Sequence, residues 1–205
     1  MTLREEILFS KILCKKNILM FFLLLCMFCV KSQNYLDSAK YYLQKSKEIR
    51  TSDLEKAESY CLTALGFAKQ TNDPKIVAEI YLSLGYFSQM KNEKDKDIEY
   101  FFESLKIAKK INDEKLLAKI YNNIGATYFI QNQDDKALEY FNKSMPLVKK
   151  LKNERMLAVQ YNNLGLIYID KKRLDKAHFY FREAVFLNTK LKDTSALIFN
   201  FGNIG

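Results

Sequence analysis

Tryptophan is absent from this 205-residue chain, and glycine, proline and histidine are scarce, at six, two and one. So few glycines and prolines argue against the many tight turns of a multi-stranded sheet and favour helices; turns that demand unusual backbone geometry should be few. The lone histidine, His178, lies beside Phe179 and Phe181 with no Cys, His or carboxylate cluster to complete a metal site. A glycine-rich phosphate loop is missing, as is a nucleophile motif with a plausible base, so the residues point to a non-enzymatic chain without cofactors. Asp134 and Asp135 form the kind of acidic pair that a helix start favours through its dipole.

Hydrophobic residues make up 48% of the chain and charged residues 28%, a balance that excludes disorder and supports a well-buried core. Residues 1–32 differ from the rest. Arg4, Lys11, Lys15 and Lys16 precede an unbroken apolar run from Ile18 to Val30, which Ser32 and polar sequence follow. This is the order of a secretory signal peptide cleaved after Ser32. A run of 13 residues is short of the roughly 20 needed to span a bilayer, so an uncleaved anchor is the alternative. The chain is thus expected to be exported, to the periplasm or beyond the cell, with no membrane association outside the leader.

Three of the four cysteines fall in the leader, which leaves Cys61 alone in residues 33–205 and excludes an intramolecular disulfide there. Cys61 stands among Tyr60, Leu62 and Leu65 at a spacing that buries it in a helix. With the leader removed, 28 basic and 22 acidic residues give a net charge of +6. The excess is spread out: Lys109 with Lys110, and Lys171 with Lys172, read as solvated helix faces and not as a nucleic-acid stripe.

Self-similarity organises everything after the leader. Tyr41, Tyr81, Tyr121, Tyr161 and Phe201 recur every 40 residues, and three further columns keep the same step: Gly85, Gly125, Gly165 and Gly205; Cys61, Phe101, Phe141 and Phe181; Leu65, Leu105, Met145 and Val185. Four columns in phase define repeats at 33–73, 74–113, 114–153 and 154–193, with a fifth begun at Thr194. Within the third, Ala118, Tyr121, Ile124, Gly125 and Tyr128 share one helical face, and Ala137, Phe141, Ser144, Met145 and Val148 share another. The polar stretch Gln131 to Asp134 separates them, so each repeat reads as a helical hairpin. Asp73 before Pro74 supplies a helix cap with proline in the first turn, and Ser52 with Glu55 reads as a capping box. Pro146 falls inside a second helix and predicts a local kink there.

These columns resemble the tetratricopeptide repeat in a long, 40-residue form. An aromatic, Leu-Gly, Tyr, Ala and Phe fall at Tyr121, Ile124, Gly125, Tyr128, Ala137 and Phe141, and again at Tyr161, Leu164, Gly165, Tyr168, Ala177 and Phe181. The second repeat departs with Ser88 and Asp97, the first with Lys45 in place of glycine. The resemblance implies an all-α, right-handed superhelical solenoid that binds protein or extended peptide on a concave face lined by the first helices.

Positions pointing away from the Tyr and Gly columns are then candidates. They include Lys119, Asn122, Asn123 and Phe129 in the third repeat, Asn162, Asn163, Leu166 and Ile169 in the fourth, and Tyr86 in the second, with Asn203 continuing the asparagine column. An amide both donates and accepts, which suits a peptide backbone. A mid-helix asparagine can equally bond its own backbone or a neighbouring repeat. The apolar Ile198, Phe199, Phe201 and Ile204 at the chain end call for a covering helix, so the chain reads as part of a longer repeat protein. Two functions fit: a free exported scaffold or adaptor, or the exported sensor region of a larger signal-transduction protein with a kinase or DNA-binding output.

Overall fold

The computed structural model describes Met20, residues 30–93 and residues 95–197. The expected signal peptide, except Met20 and residues 30–32, and the segment 198–205 with Asn203 lie outside the described residues. The chain divides into two compact units, Met1–Ile76 and Val77–Gly205.

Described residues form helices joined by turns. Helix α1 covers 30–49; then come α2 (Leu54–Ala68), α3 (Pro74–Met90), α4 (Lys96–Lys110), α5 (Glu114–Ile130), α6 (Asp134–Lys150), α7 (Glu154–Asp170) and α8 (Leu174–Lys190). A further helical turn starts at Thr194. From α5 to α8 each helix has 17 residues. Three-residue turns such as 131–133 separate them, so a helix and its turn occupy 20 residues and a hairpin 40.

The turns overturn the expectation that unusual backbone geometry would be rare. Asn92, Asn112, Asn132, Lys152, Lys172 and Lys192 all have φ between 50° and 57°, one after each of α3 to α8, and none is glycine. After α5 the amide of Asn132 donates to the Phe129 carbonyl and that of Gln133 to the Tyr128 carbonyl, at 2.9 and 2.8 Å. This pair of bonds closes a Schellman turn. The same pair recurs at the other five positions. Asparagine tolerates the left-handed region, whereas lysine enters it against a steric cost of roughly 1 kcal/mol.

Helix starts are asymmetric. Asp113 and Asn153 accept the amides of Leu116 and Met156 at 2.9 and 3.1 Å, and Asp193 does the same for Ala196. Asp73 caps the Pro74 helix as expected, at 2.9 Å from the Lys75 amide. The capping box of Ser52 and Glu55 is not formed. Asp53 caps α2 by accepting from the Lys56 amide, and the Ser52 hydroxyl donates instead to the Ile49 carbonyl. A charged acceptor one residue nearer the helix wins the orphan amide. Helix α6 runs unbroken through Pro146, whose side is exposed; the carbonyl it leaves unpaired belongs to the exposed Asn142.

In the unit from Val77 onward, glycine and phenylalanine fix each helix crossing. A Cβ on Gly85, Gly125 or Gly165 would lie only 2.5, 2.9 or 2.5 Å from the ring of Phe101, Phe141 or Phe181, all of which are buried. Serine adds a tie across two hairpins: Ser104 and Ser144 donate to the carbonyls of Ala78 and Ala118, each at 2.7 Å. Ala78, Phe101, Leu105, Ala108, Leu116, Ile120 and Ile124 share one core cluster, and Phe141, Tyr161, Leu164 and Ile167 share the next. Burying each large side chain contributes about 1.5–3 kcal/mol. Asp97, which replaces the usual alanine, is buried with both oxygens engaged: Oδ1 accepts from the Ile98 amide and Oδ2 from the Thr127 hydroxyl, which in turn accepts from Gln89.

In the unit before Val77, α1 and α2 pack through Ala39, Leu43, Ala57, Cys61, Ala64 and Ala68. Tyr42 stacks on Phe67 with an 8° angle between the rings.

Candidate peptide-binding face

Periodicity brings the asparagine pairs together on neighbouring first helices, because α5 and α7 start 40 residues apart and touch directly. Asn122, Asn123 and Asn163 are half-buried, and Asn162 is buried at 8% exposure. Lys119 is exposed, as are Tyr86 and Ile169; Leu166 is half-buried. Phe129 is half-buried too, but it packs against the core shared by α6 and α7, so its ring serves hairpin stacking. In the second repeat Gln89 is committed to Thr127.

Two amide oxygens on the first helices, of Asn122 and Gln160, are buried without a hydrogen-bond partner, a state that costs about 1–3 kcal/mol each until a donor reaches it.

Around Asn162 and Asn163 the surface forms a cleft of about 300 Å³, lined also by Arg155, Ala158, Val159, Asn188, Asp193 and Ala196. Its apolar wall is supplied by Ala158, Val159 and Ala196. An ion pair of Arg155 with Asp193, at 2.7 Å, bridges α7 to the start of the following helical turn. Periodicity searches for aromatic columns pass over Asn188, yet a signal exists: Ala68, Ala108 and Val148 hold the equivalent places, so an amide there breaks an apolar column. Gln160 does likewise where Ile80 and Ile120 precede it; its Nε2 donates to Ser144 Oγ at 2.5 Å, while its Oε1 has no partner. Polar side chains therefore gather inside the fourth repeat where earlier repeats are apolar.

Among the described residues no group of three or more His, Cys, Asp or Glu is placed to hold a metal ion, and no helix is long and apolar enough to cross a membrane. His178 is exposed on α8.

Helical hairpins with a Gly–Phe crossing and Asn-bearing first helices identify the architecture, and residues 116–185 match the tetratricopeptide repeat family. Residues 116–185 carry tetratricopeptide repeats. Solved structures agree on the fold. BtubC (BKLC) from P. vanneervenii is 22% identical, with a TM-score of 0.67 over 84% of this chain and 81% of that one. Aspartyl phosphate phosphatase F from Bacillus subtilis is 17% identical with a TM-score of 0.72; the match covers 79% of this chain but 43% of that longer protein. The apo form of RapI is 20% identical, with a TM-score of 0.70 over 77% of this chain and 58% of that one. No curated protein sequence matches the chain. These identities speak to the fold alone, so what the tetratricopeptide repeats bind must come from the side chains of this sequence.

Proposed function

We propose that the repeats form a non-enzymatic scaffold that holds a protein segment in extended conformation along the first helices, with Asn122, Asn123, Asn162 and Asn163 gripping its backbone. The asparagine pairs on the touching first helices α5 and α7 carry this reading, since each amide can both donate to and accept from a peptide backbone. Repeat arrays use such first-helix faces for extended ligands. Hydrogen bonds contribute about 0.5–1.5 kcal/mol each, so four amides fall short of the roughly 8 kcal/mol that micromolar binding requires. Apolar contacts at Tyr86, Val159, Leu166 and Ile169 supply the remainder, the first, second and fourth of which are exposed.

The test compares the chain with a variant carrying Asn122→Ala, Asn123→Ala, Asn162→Ala and Asn163→Ala that melts at the same temperature. A partner segment captured from the cell envelope is resynthesised and titrated calorimetrically. At least a tenfold loss of affinity in the variant is expected; equal affinity assigns the asparagines to the repeat stack alone.

Export, inferred from the leader, is part of the same proposal and predicts a mature chain starting at Gln33, which mass spectrometry of the native protein checks. The sensor reading differs only in the sequence encoded beyond the repeats: a hydrophobic stretch of about 20 residues downstream of Gly205 would favour it.

A further inference from the structure

The outward side of α8 departs from that of the two preceding second helices, α4 and α6. At three equivalent positions α4 has Glu99, Phe102 and Lys106 and α6 has Glu139, Asn142 and Pro146, all exposed although α5 packs on α4 and α7 on α6. On α8 the same positions hold Phe179, Arg182 and Phe186. Their exposure therefore belongs to the outward face and does not result from a neighbour being absent beyond α8. Phe179 and Phe186 are 56% and 66% exposed, and the spacing i, i+3, i+7 sets the three side chains in one line. Two phenylalanines that the two preceding hairpins replace with charge or proline, left standing in water, are a cost the fold does not require.

Charge surrounds the stripe. Residues 171–192 contain seven lysines and arginines against Asp175 and Glu183. Lys171 pairs with Asp135 and Lys190 with Glu154, while Lys176 lies 5.0 Å from the Tyr168 ring centroid. Lys172 and Arg173 before α8, Arg182 within it and Lys192 after it are all exposed. Like charge disfavours a second copy of the chain as the occupant. Phe179 and Phe186 also protrude instead of lining a socket, which suits a fluid apolar phase that closes around them better than a folded partner.

We propose that the outward face of α8 docks on an anionic lipid surface, with Phe179 and Phe186 inserted at the level of the headgroups and the surrounding lysines and arginines held by lipid phosphates. This face is separate from the asparagine-bearing first helices, so an array docked in this way keeps them open to a peptide.

The chain's lack of tryptophan permits a local readout in the intact protein. Phe186→Trp places a single fluorophore in the stripe, and Asn142→Trp places one on the outward face of α6 as a control. Both chains carry the same leader, so any vesicle binding by residues 1–32 affects them equally. With vesicles of phosphatidylglycerol and phosphatidylcholine, the Phe186→Trp emission should shift blue and be quenched by brominated acyl chains, with neither change in pure phosphatidylcholine. Adding Phe179→Ser should weaken that response at least tenfold without changing the melting temperature. Equal shifts at both reporters, or none at Phe186→Trp, overturn the proposal. A shift produced by soluble polyglutamate and not by vesicles also overturns it, and assigns the stripe to an acidic polypeptide.

Discussion

The first hairpin and the three after it solve one packing problem in opposite ways. From α3 onward, a glycine in the first helix admits a buried phenylalanine from the second, as Gly125 admits Phe141. In α1 and α2 the corresponding residues are Lys45 and Cys61. Cys61 is fully buried, and Lys45 is half-buried with its ammonium 3.3 Å from Glu48 and 5.9 Å from the Tyr41 ring centroid. A large residue moves to one side of the crossing as the residue opposite shrinks. Each of these position pairs sets a small residue against a larger one, with the small residue on the second helix in the first hairpin and on the first helix in the others.

Transplanting the first solution into the last hairpin puts this to its strongest test. Gly165→Lys alone should destabilise by about 3 kcal/mol, because its Cβ would sit 2.5 Å from the Phe181 ring. Adding Phe181→Cys should make the double variant more stable than the sum of the single losses, with a coupling of about 1 kcal/mol or more in urea unfolding. Strict additivity would show that the two positions do not share one volume.

Alkaline pH distinguishes the two kinds of hairpin next. Burial pushes the Cys61 thiol up to about 12, against which the Ser46 hydroxyl acts only in part. Below pH 9 the thiol is neutral in both folded and unfolded chains, so its contribution is fully present; it is lost as pH rises from the unfolded value of 9.0 toward 12, where only the unfolded chain ionises freely. The difference in unfolding free energy between the native chain and Cys61→Ala should therefore shrink across that window. A difference independent of pH would mean that the thiol is open to solvent.

A smaller contrast runs along the turns, which use Asn92, Asn112 and Asn132 early and Lys152, Lys172 and Lys192 late, all with positive φ. Lys172→Gly should raise stability by about 0.5–1 kcal/mol, read as a higher melting temperature, and Asn132→Gly by less. Equal gains would remove the distinction between the two residue types.

Much of this was legible in the residues. Tyr121, Gly125 and Phe141 gave the hairpin because volume constraints recur at every crossing, and Asp73 marked a helix start because a cap needs an oxygen there; the caps at Asp113, Asn153 and Asp193 came from the structure. Glycine counting failed at the turns: left-handed backbone at asparagine and lysine leaves no compositional trace, since both residues are ordinary in a basic helical chain. Ser52 lost its cap to Asp53 through one residue of register, which spacing alone does not resolve. The asparagine positions could be placed on a helix face, but not their depth, because the burial of Asn162 and the commitment of Phe129 to the core depend on neighbouring hairpins. Asn188, Phe179 and Phe186 break their columns, against Ala108 and Val148, Glu99 and Glu139, and Lys106 and Pro146, but a reading built on shared residues passes over such breaks.

Helices of 17 residues joined by turns of three have a consequence for how such a chain can change by descent. Copying or deleting one whole unit leaves every later crossing in phase, so the array can lengthen or shorten without repair. A single codon gained inside α5 would instead rotate the rest of that helix by about 100°, carrying Phe129 off the core and breaking the match between the two halves of the hairpin. Selection on this architecture therefore tolerates large rearrangements and rejects small ones.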